Sequence, residues 1–256
     1  MTAEHVRLEV DGPIATITLA RPEKRNALGL EFMRSMIEAL HDVPDEVGVV
    51  ILAAEGKAFS AGHDIKEMMD RNDGYYTELF DTCETMMKTI RDLPQPVIAK
   101  VQGIATAAGC QLVATCDLAV SSDTAWFATP GVKIGLFCHT PNVAVSRAVG
   151  QKRAMQMLLT GEPVPSATAV EWGLINQAVP ADDLDDAVLD LAEKVLQYSK
   201  STIALGKSTF YEQEGLPIDD AYAVASPVMA RSAGNEDAQE GMGAFLDKRE
   251  PQWPGQ

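Results

Sequence analysis

The stretch Lys57-Ala58-Phe59-Ser60-Ala61-Gly62-His63-Asp64-Ile65-Lys66-Glu67-Met68 decides how the chain is read. It follows Val49-Val50-Ile51-Leu52, an apolar, β-branched run of the kind that forms a buried strand. It leads into a charged, helix-favouring run. The order is therefore strand, small-residue loop, helix. Ala58, Ala61 and Gly62 let a ligand approach the backbone closely. Asp64 is placed to cap the helix, which turns the amides near His63 outward, where they suit an anion or a developing oxyanion.

A second unit has the same build. Pro96-Val97-Ile98-Ala99-Lys100-Val101 reads as a buried strand, Gln102-Gly103 breaks it, and Ile104–Leu112 enters a helix through Ala105-Thr106-Ala107-Ala108-Gly109. One such loop is more often tight helix-on-strand packing than a site. Two of them set one amide each against a single carbonyl oxygen.

Outward from these units, Val6–Val10 and Ile14–Leu19 alternate across Asp11-Gly12 and predict a hairpin. Arg21–Arg25 is a basic loop, and Leu28–Leu40 has helical period. Arg71–Tyr76, with Asp73-Gly74 inside it, predicts a mobile connection ahead of a helix over 77–91. Met68, Met69, Met86 and Met87 are placed either to line an acyl tunnel or, more commonly for methionine at helical spacing, to fill the core. Thr129–Asn142 predicts a site-lining loop. The region 201–246 reads as three helices with apolar faces and little sheet to cover them.

Composition narrows the function. Of 256 residues 46% are hydrophobic, enough for a sizeable core. A net charge of −16 argues against nucleic acid and anionic membrane surfaces as general partners. The four cysteines, Cys83, Cys110, Cys116 and Cys138, lack metal-ligand spacing and are too few for a disulfide scaffold, so no metal is expected. With no apolar leader and no membrane-length run, the expectation is a cytoplasmic protein.

Arg21-Pro22-Glu23-Lys24-Arg25-Asn26-Ala27-Leu28, Ala58–Ile65, Ala108-Gly109-Cys110 and Phe245-Leu246-Asp247-Lys248-Arg249 together resemble the crotonase superfamily, the enoyl-CoA hydratase/isomerase family. Phe127–Cys138 and Leu205–Tyr211 are most similar to its subgroup called enoyl-CoA hydratase domain-containing protein 3. The resemblance implies an α/β crotonase (ClpP/crotonase-like) spiral of ββα units over 1–196 and a C-terminal helical trimerisation region over 197–256. It implies a homotrimer or a dimer of trimers acting on an acyl-CoA thioester. Coenzyme A enters as part of the substrate, and no cofactor stays bound.

The resemblance also implies roles for single residues. Lys24, Arg25, Ala27, Ala61, Asp64, Ile65, Lys66, Phe245 and Lys248 match positions that contact CoA, the last two from a neighbouring subunit. The main-chain amides of His63 and Ala108 match the two donors that hold the thioester oxygen. A hydratase of this family carries two glutamates, and their positions here hold Gln111 and Gly131. Neither exchanges a proton near neutral pH, and Gly131 is read as leaving a void open to water or a small anion. Cys138 and His139 are the replacement acid–base or nucleophilic candidates. On an extended segment only one of the two would face the substrate. The function expected is acyl-CoA processing through a thioester enolate without two-glutamate hydration. An acyl-CoA-binding scaffold without turnover, or a decarboxylase or thioesterase variant, stands as the alternative.

Overall fold

The computed structural model describes residues 5–254. Two sheets share the chain. The first takes β1 (Val6–Asp11), β2 (Ile14–Leu19), β3 (Val49–Ala54), β5 (Val97–Val101), β7 (Leu118–Ser122) and β10 (Gln177–Val179), in that spatial order. Only the β1–β2 hairpin is antiparallel; every later pairing in this sheet is parallel. The second sheet takes β4 (Ala58–Ser60), β6 (Ile104–Thr106), β8 (Trp126–Ala128) and β9 (Val164–Pro165).

From β3 to β8 each turn of the chain lays one strand in the first sheet and the next in the second, then returns through helices. The helices up to Leu196 are α1 (Leu30–His41), the single turn α2 (Ile65–Met68), α3 (Asp73–Asp92), α4 (Ala108–Thr115), α5 (His139–Val149), α6 (Gln151–Thr160), α7 (Ser166–Trp172) and α8 (Leu184–Leu196). Three more, α9 (Lys200–Gln213), α10 (Ile218–Ser232) and α11 (Glu236–Asp247), close the chain.

The central strands read as unbroken apolar runs because both of their faces are covered. On β3, Val50 and Leu52 join the main core with Phe32, Met36, Phe59 and Met86. Val49, Ile51 and Ala53 face the other way and pack under α8, against Leu184, Val188 and Ala192.

Two expectations change. The 57–64 and 102–107 stretches are not loops throughout, because each contains a three-residue strand that pairs parallel with the other, Ala58 opposite Ile104. The connection at 71–76 is mostly helix: Asn72 Oδ1 accepts the Tyr75 amide at 2.9 Å, and this cap starts α3 at Asp73. Of the four methionines, Met86 and Met87 are buried in the core, Met69 is exposed, and only Met68 lines the cavity described below.

Candidate active site

The first site loop is held by the basic motif. Asn26, fully buried, donates from Nδ2 to the carbonyls of Glu55 (3.0 Å) and Ala58 (2.9 Å). Its own carbonyl accepts the Ser60 hydroxyl at 2.9 Å, and Ser60 Oγ accepts the Gly62 amide at 3.2 Å. The Ala61 amide donates to the Arg25 carbonyl, the Leu28 amide to the Gly62 carbonyl, and the Asp64 amide to the Leu28 carbonyl. Leu28 and His63 therefore form a single parallel bridge, and among the described residues the His63 amide has no acceptor. Nothing in the local pattern around Asn26 signals this role; it shows only in the contacts with 55–60.

The second loop presents the matching amide. Ala108 is the first residue of α4, so its N–H has no partner within the helix. Both free amides follow a residue in left-handed space, Gly62 at φ +85° and Ala107 at φ +51°. An alanine there is strained by roughly 1–3 kcal/mol, and the hydrogen bond from the Ala107 amide to the Ala128 carbonyl helps hold it. The two loops touch: a Cβ on Gly62 would lie 2.8 Å from Ala107 Cβ and 3.2 Å from Ala108 N.

His63 and Ala108 line one cavity of about 520 Å³. Ala61, Ile65, Gly131, Cys138 and His139 line it too, so the chain brings together most of the residues expected near the acyl group. Met68, Phe80, Ile134, Leu136 and Phe137 make its walls apolar. Among the described residues its lining includes no aspartate or glutamate. Gln111 does not line it; that residue borders an adjoining crevice of about 600 Å³, and its buried Oε1 has no hydrogen-bond partner among the described residues. Thr140 borders both spaces.

The void expected at Gly131 is absent. The 135–138 segment folds back over it, so a Cβ there would overlap the Leu136 carbonyl oxygen and lie 2.9 Å from Cys138 Sγ. Gly131→Glu is accordingly expected to lower the thermal midpoint and to add no hydration of crotonyl-CoA. A stable variant with raised hydration would show that the segment yields. Cys138 and His139 also depart from expectation. They form the N-cap and first residue of α5 rather than an extended pair, and both line the cavity.

The imidazole of His63 is fixed. Nδ1 lies 3.2 Å from the Leu28 carbonyl and must carry its proton, which leaves Nε2 bare, buried and, among the described residues, without a partner. The ring meets Phe80 edge-on at 5.3 Å. Burial pushes its pKa below the usual 6.5, while the bond to Leu28 opposes the shift. A group whose folded pKa is depressed binds fewer protons folded than unfolded. Its contribution therefore costs stability as pH falls from about 6.5 toward the folded value. His63→Gln is expected to lose less thermal stability than the parent between neutral and acidic pH; parallel melting-point profiles would refute this.

The CoA-side candidates are distributed more widely. Asp64 caps α2 by accepting the Lys66 amide at 3.1 Å and pairs with Lys24 at 3.4 Å, so its carboxylate is already occupied by the protein. Arg25 takes a left-handed conformation at the end of a short 3-10 turn over Pro22–Lys24, and Ala27 is buried. Phe245 and Lys248, at the end of α11, do not line the cavity, and Phe245 is 82% exposed.

A family model described as enoyl-CoA hydratase/isomerase matches residues 9–256. The human protein named enoyl-CoA hydratase domain-containing protein 3, mitochondrial, is 46% identical over 248 residues, covering 96% of this chain and 82% of the human one. The rat protein of that name is 47% identical over 243 residues, covering 94% and 81%. Among solved structures, an enoyl-CoA hydratase from Mycobacterium smegmatis superposes with a TM-score of 0.95 at 45% identity, covering 97% of this chain and 98% of the other. The human enoyl-CoA hydratase domain-containing protein 3 superposes with a TM-score of 0.94 at 43% identity, covering 97% and 100%. The expectation of a cytoplasmic protein does not stand, because these mammalian relatives are named as mitochondrial.

Proposed function

Because the chain belongs to the enoyl-CoA hydratase/isomerase family of crotonase fold, within the enoyl-CoA hydratase domain-containing protein 3 subgroup, we propose that it processes acyl-CoA thioesters through a two-amide oxyanion pocket. The donors are the main-chain N–H groups of His63 and Ala108. The observation that carries this reading is the pairing of those free amides, each behind a left-handed residue, in one apolar cavity. A carbonyl oxygen between two such donors gains negative charge at little reorganisation cost, because the amides are already oriented.

The reaction is not two-glutamate hydration. Deprotonating or hydrating an enoyl thioester in that way needs carboxylates of tuned pKa beside the α- and β-carbons, and none lines this cavity. The same absence favours a second reading, an acyl-CoA-binding protein without turnover. Lys24, Arg25, Lys66 and the backbone at Ala27, Ala61 and Ile65 lie in the motifs that would receive the CoA moiety. Asp64 would order Lys24 there. For assembly, the exposed Ile218, Tyr222, Met229, Phe245 and Leu246 of α10 and α11 support a homotrimer or dimer of trimers built by residues 197–256, with Phe245 and Lys248 reaching a neighbour's CoA.

One panel tests the proposal. Purified protein is incubated with crotonyl-CoA, a 3-enoyl-CoA, a malonyl-type CoA and saturated acyl-CoAs, with binding followed by calorimetry and products by mass spectrometry. Binding across the panel with little crotonyl-CoA hydration is expected. No binding to any thioester would overturn the acyl-CoA assignment, and robust hydration would overturn the exclusion of hydratase chemistry.

A further inference from the structure

We propose that Cys138 accepts the acyl group, forming an S-acyl enzyme and releasing free CoA. The inference rests on the acyl-CoA reading above and gives that site a reaction.

Cys138 lines the cavity that also holds the His63 and Ala108 amides, so a thioester carbonyl seated on those amides shares one chamber with its sulfur. The sulfur is held in place. It lies against Gly131, at 2.9 Å from where a Cβ would stand. Cys138 is also the N-cap of the eleven-residue helix α5, without a capping bond from its side chain. A helix N-terminus favours a thiolate. Burial opposes this and raises the thiol's pKa, so the resting group is a protonated thiol that loses its proton only as it attacks.

His63 shares the cavity wall, and among the described residues its buried Nε2 has no partner. Together with the missing carboxylates, this leaves a chamber with two oxyanion donors, one sulfur and no acid of the hydratase kind.

The chemistry balances without a further reagent. Cys138 Sγ bonds to the carbonyl carbon, and the two amides hold the tetrahedral oxyanion. The carbon–sulfur bond to CoA then breaks, its electron pair stays on the CoA sulfur, and the thiol proton ends there. One thioester replaces another, so this step is nearly isoenergetic. Water then attacks the new thioester, a carboxylic acid leaves, and Sγ regains a proton.

Butyryl-CoA is the probe, since a saturated chain cannot be hydrated or isomerised. The whole protein is mixed with it, quenched in acid, and read by intact mass and peptide mapping while released CoA is titrated with a thiol reagent. A single butyryl group on Cys138, and none on Cys83, Cys110 or Cys116, is expected, with an equal burst of CoA. Cys138→Ala and Cys138→Ser should each lose both. Binding of the non-cleavable butyl thioether of CoA to the parent protein separates the failures. If the thioether binds and no adduct forms, or the burst survives both substitutions, the S-acyl step is wrong and the acyl-CoA reading stands. If the thioether does not bind, both fall.

Discussion

Replacing Gly62 with alanine is expected to lower turnover of any acyl-CoA that the protein processes by about 10²–10³-fold, the cost of losing an oxyanion donor. The methyl group is small, yet it has nowhere to go. It would stand 2.8 Å from Ala107 Cβ, 2.9 Å from the Thr106 carbonyl oxygen and 3.2 Å from Ala108 N. Two of those atoms are backbone of the opposite loop and the third is a methyl carbon fixed to it, so relief means parting the two loops. The His63 amide follows Gly62, and the Ala108 amide follows Ala107, so both donors move together. The left-handed conformation at φ +85° adds about 1–2 kcal/mol of strain for a residue with a side chain. Gly12→Ala separates strain from site damage. Gly12 is also left-handed, at φ +55°, but has nothing within 4 Å of its added carbon and sits in the β1–β2 hairpin. It should lose stability and keep turnover. The measurements are steady-state rates, thermal midpoints, and affinity for an acyl-CoA thioester against its thioether. Gly62→Ala should erase the preference for the thioester; an unchanged preference would mean that the carbonyl does not sit on these amides.

The same geometry explains what could be read without coordinates. The first sheet was legible because its strands are covered on both faces, which writes runs such as Val49–Leu52 and Val97–Val101 into the chain. The second sheet was legible only at β8, where Trp126-Phe127 starts a strand. Its strands β4 and β6 have three residues each, too few for a period; the Asn26 side-chain amide holds β4 from outside, and the Thr106 hydroxyl of β6 donates to the Ala61 carbonyl. The paired small-residue loops could be recognised, since close backbone approach demands such residues. Gly131 misled for the opposite reason. A missing side chain looks like empty space in one dimension, while the fold fills it with the carbonyl of Leu136, five residues on. Whether Cys138 and His139 share a face depends on where α5 begins, and no capping residue marks that point: Cys138 takes the N-cap position without a side-chain bond. Asp73-Gly74 has the composition of a turn, but the cap at Asn72 converts it to the first turn of α3.

The largest loss of stability is expected away from the cavity, at Lys207. Its ammonium is nearly inaccessible and uses three donors: 2.7 Å to Asp117 Oδ2, 2.9 Å to the Gln95 carbonyl and 3.0 Å to the Ile90 carbonyl. Asp117 is equally engaged, accepting the Val97 amide at 2.7 Å on Oδ2 and the Tyr211 hydroxyl at 2.8 Å on Oδ1. One side chain from α9 therefore joins the end of α3, the start of β5 and the start of β7. Arg91 adds a second tie, stacking on the Tyr211 ring at 4.2 Å and pairing with Glu214 at 2.7 Å. Taking two charges out of water is costly, so the pair as a whole contributes little net stability; removing one partner strands the other. Lys207→Met keeps most of the volume and leaves Asp117 and two carbonyls short of a donor. A loss of about 3–5 kcal/mol is expected, read as a large fall in the denaturation midpoint. Lys88→Ala, which breaks the exposed ion pair with Glu84, should change nothing measurable. Lys207→Arg should not restore the parent, because a planar guanidinium cannot direct its donors as the tetrahedral ammonium does toward these three oxygens. If Lys207→Met melted with the parent protein, the clamp between α9 and the sheet would carry none of the fold's stability. The anchoring of α9 would then have to be sought in the ties of Arg91 to Tyr211 and Glu214 instead.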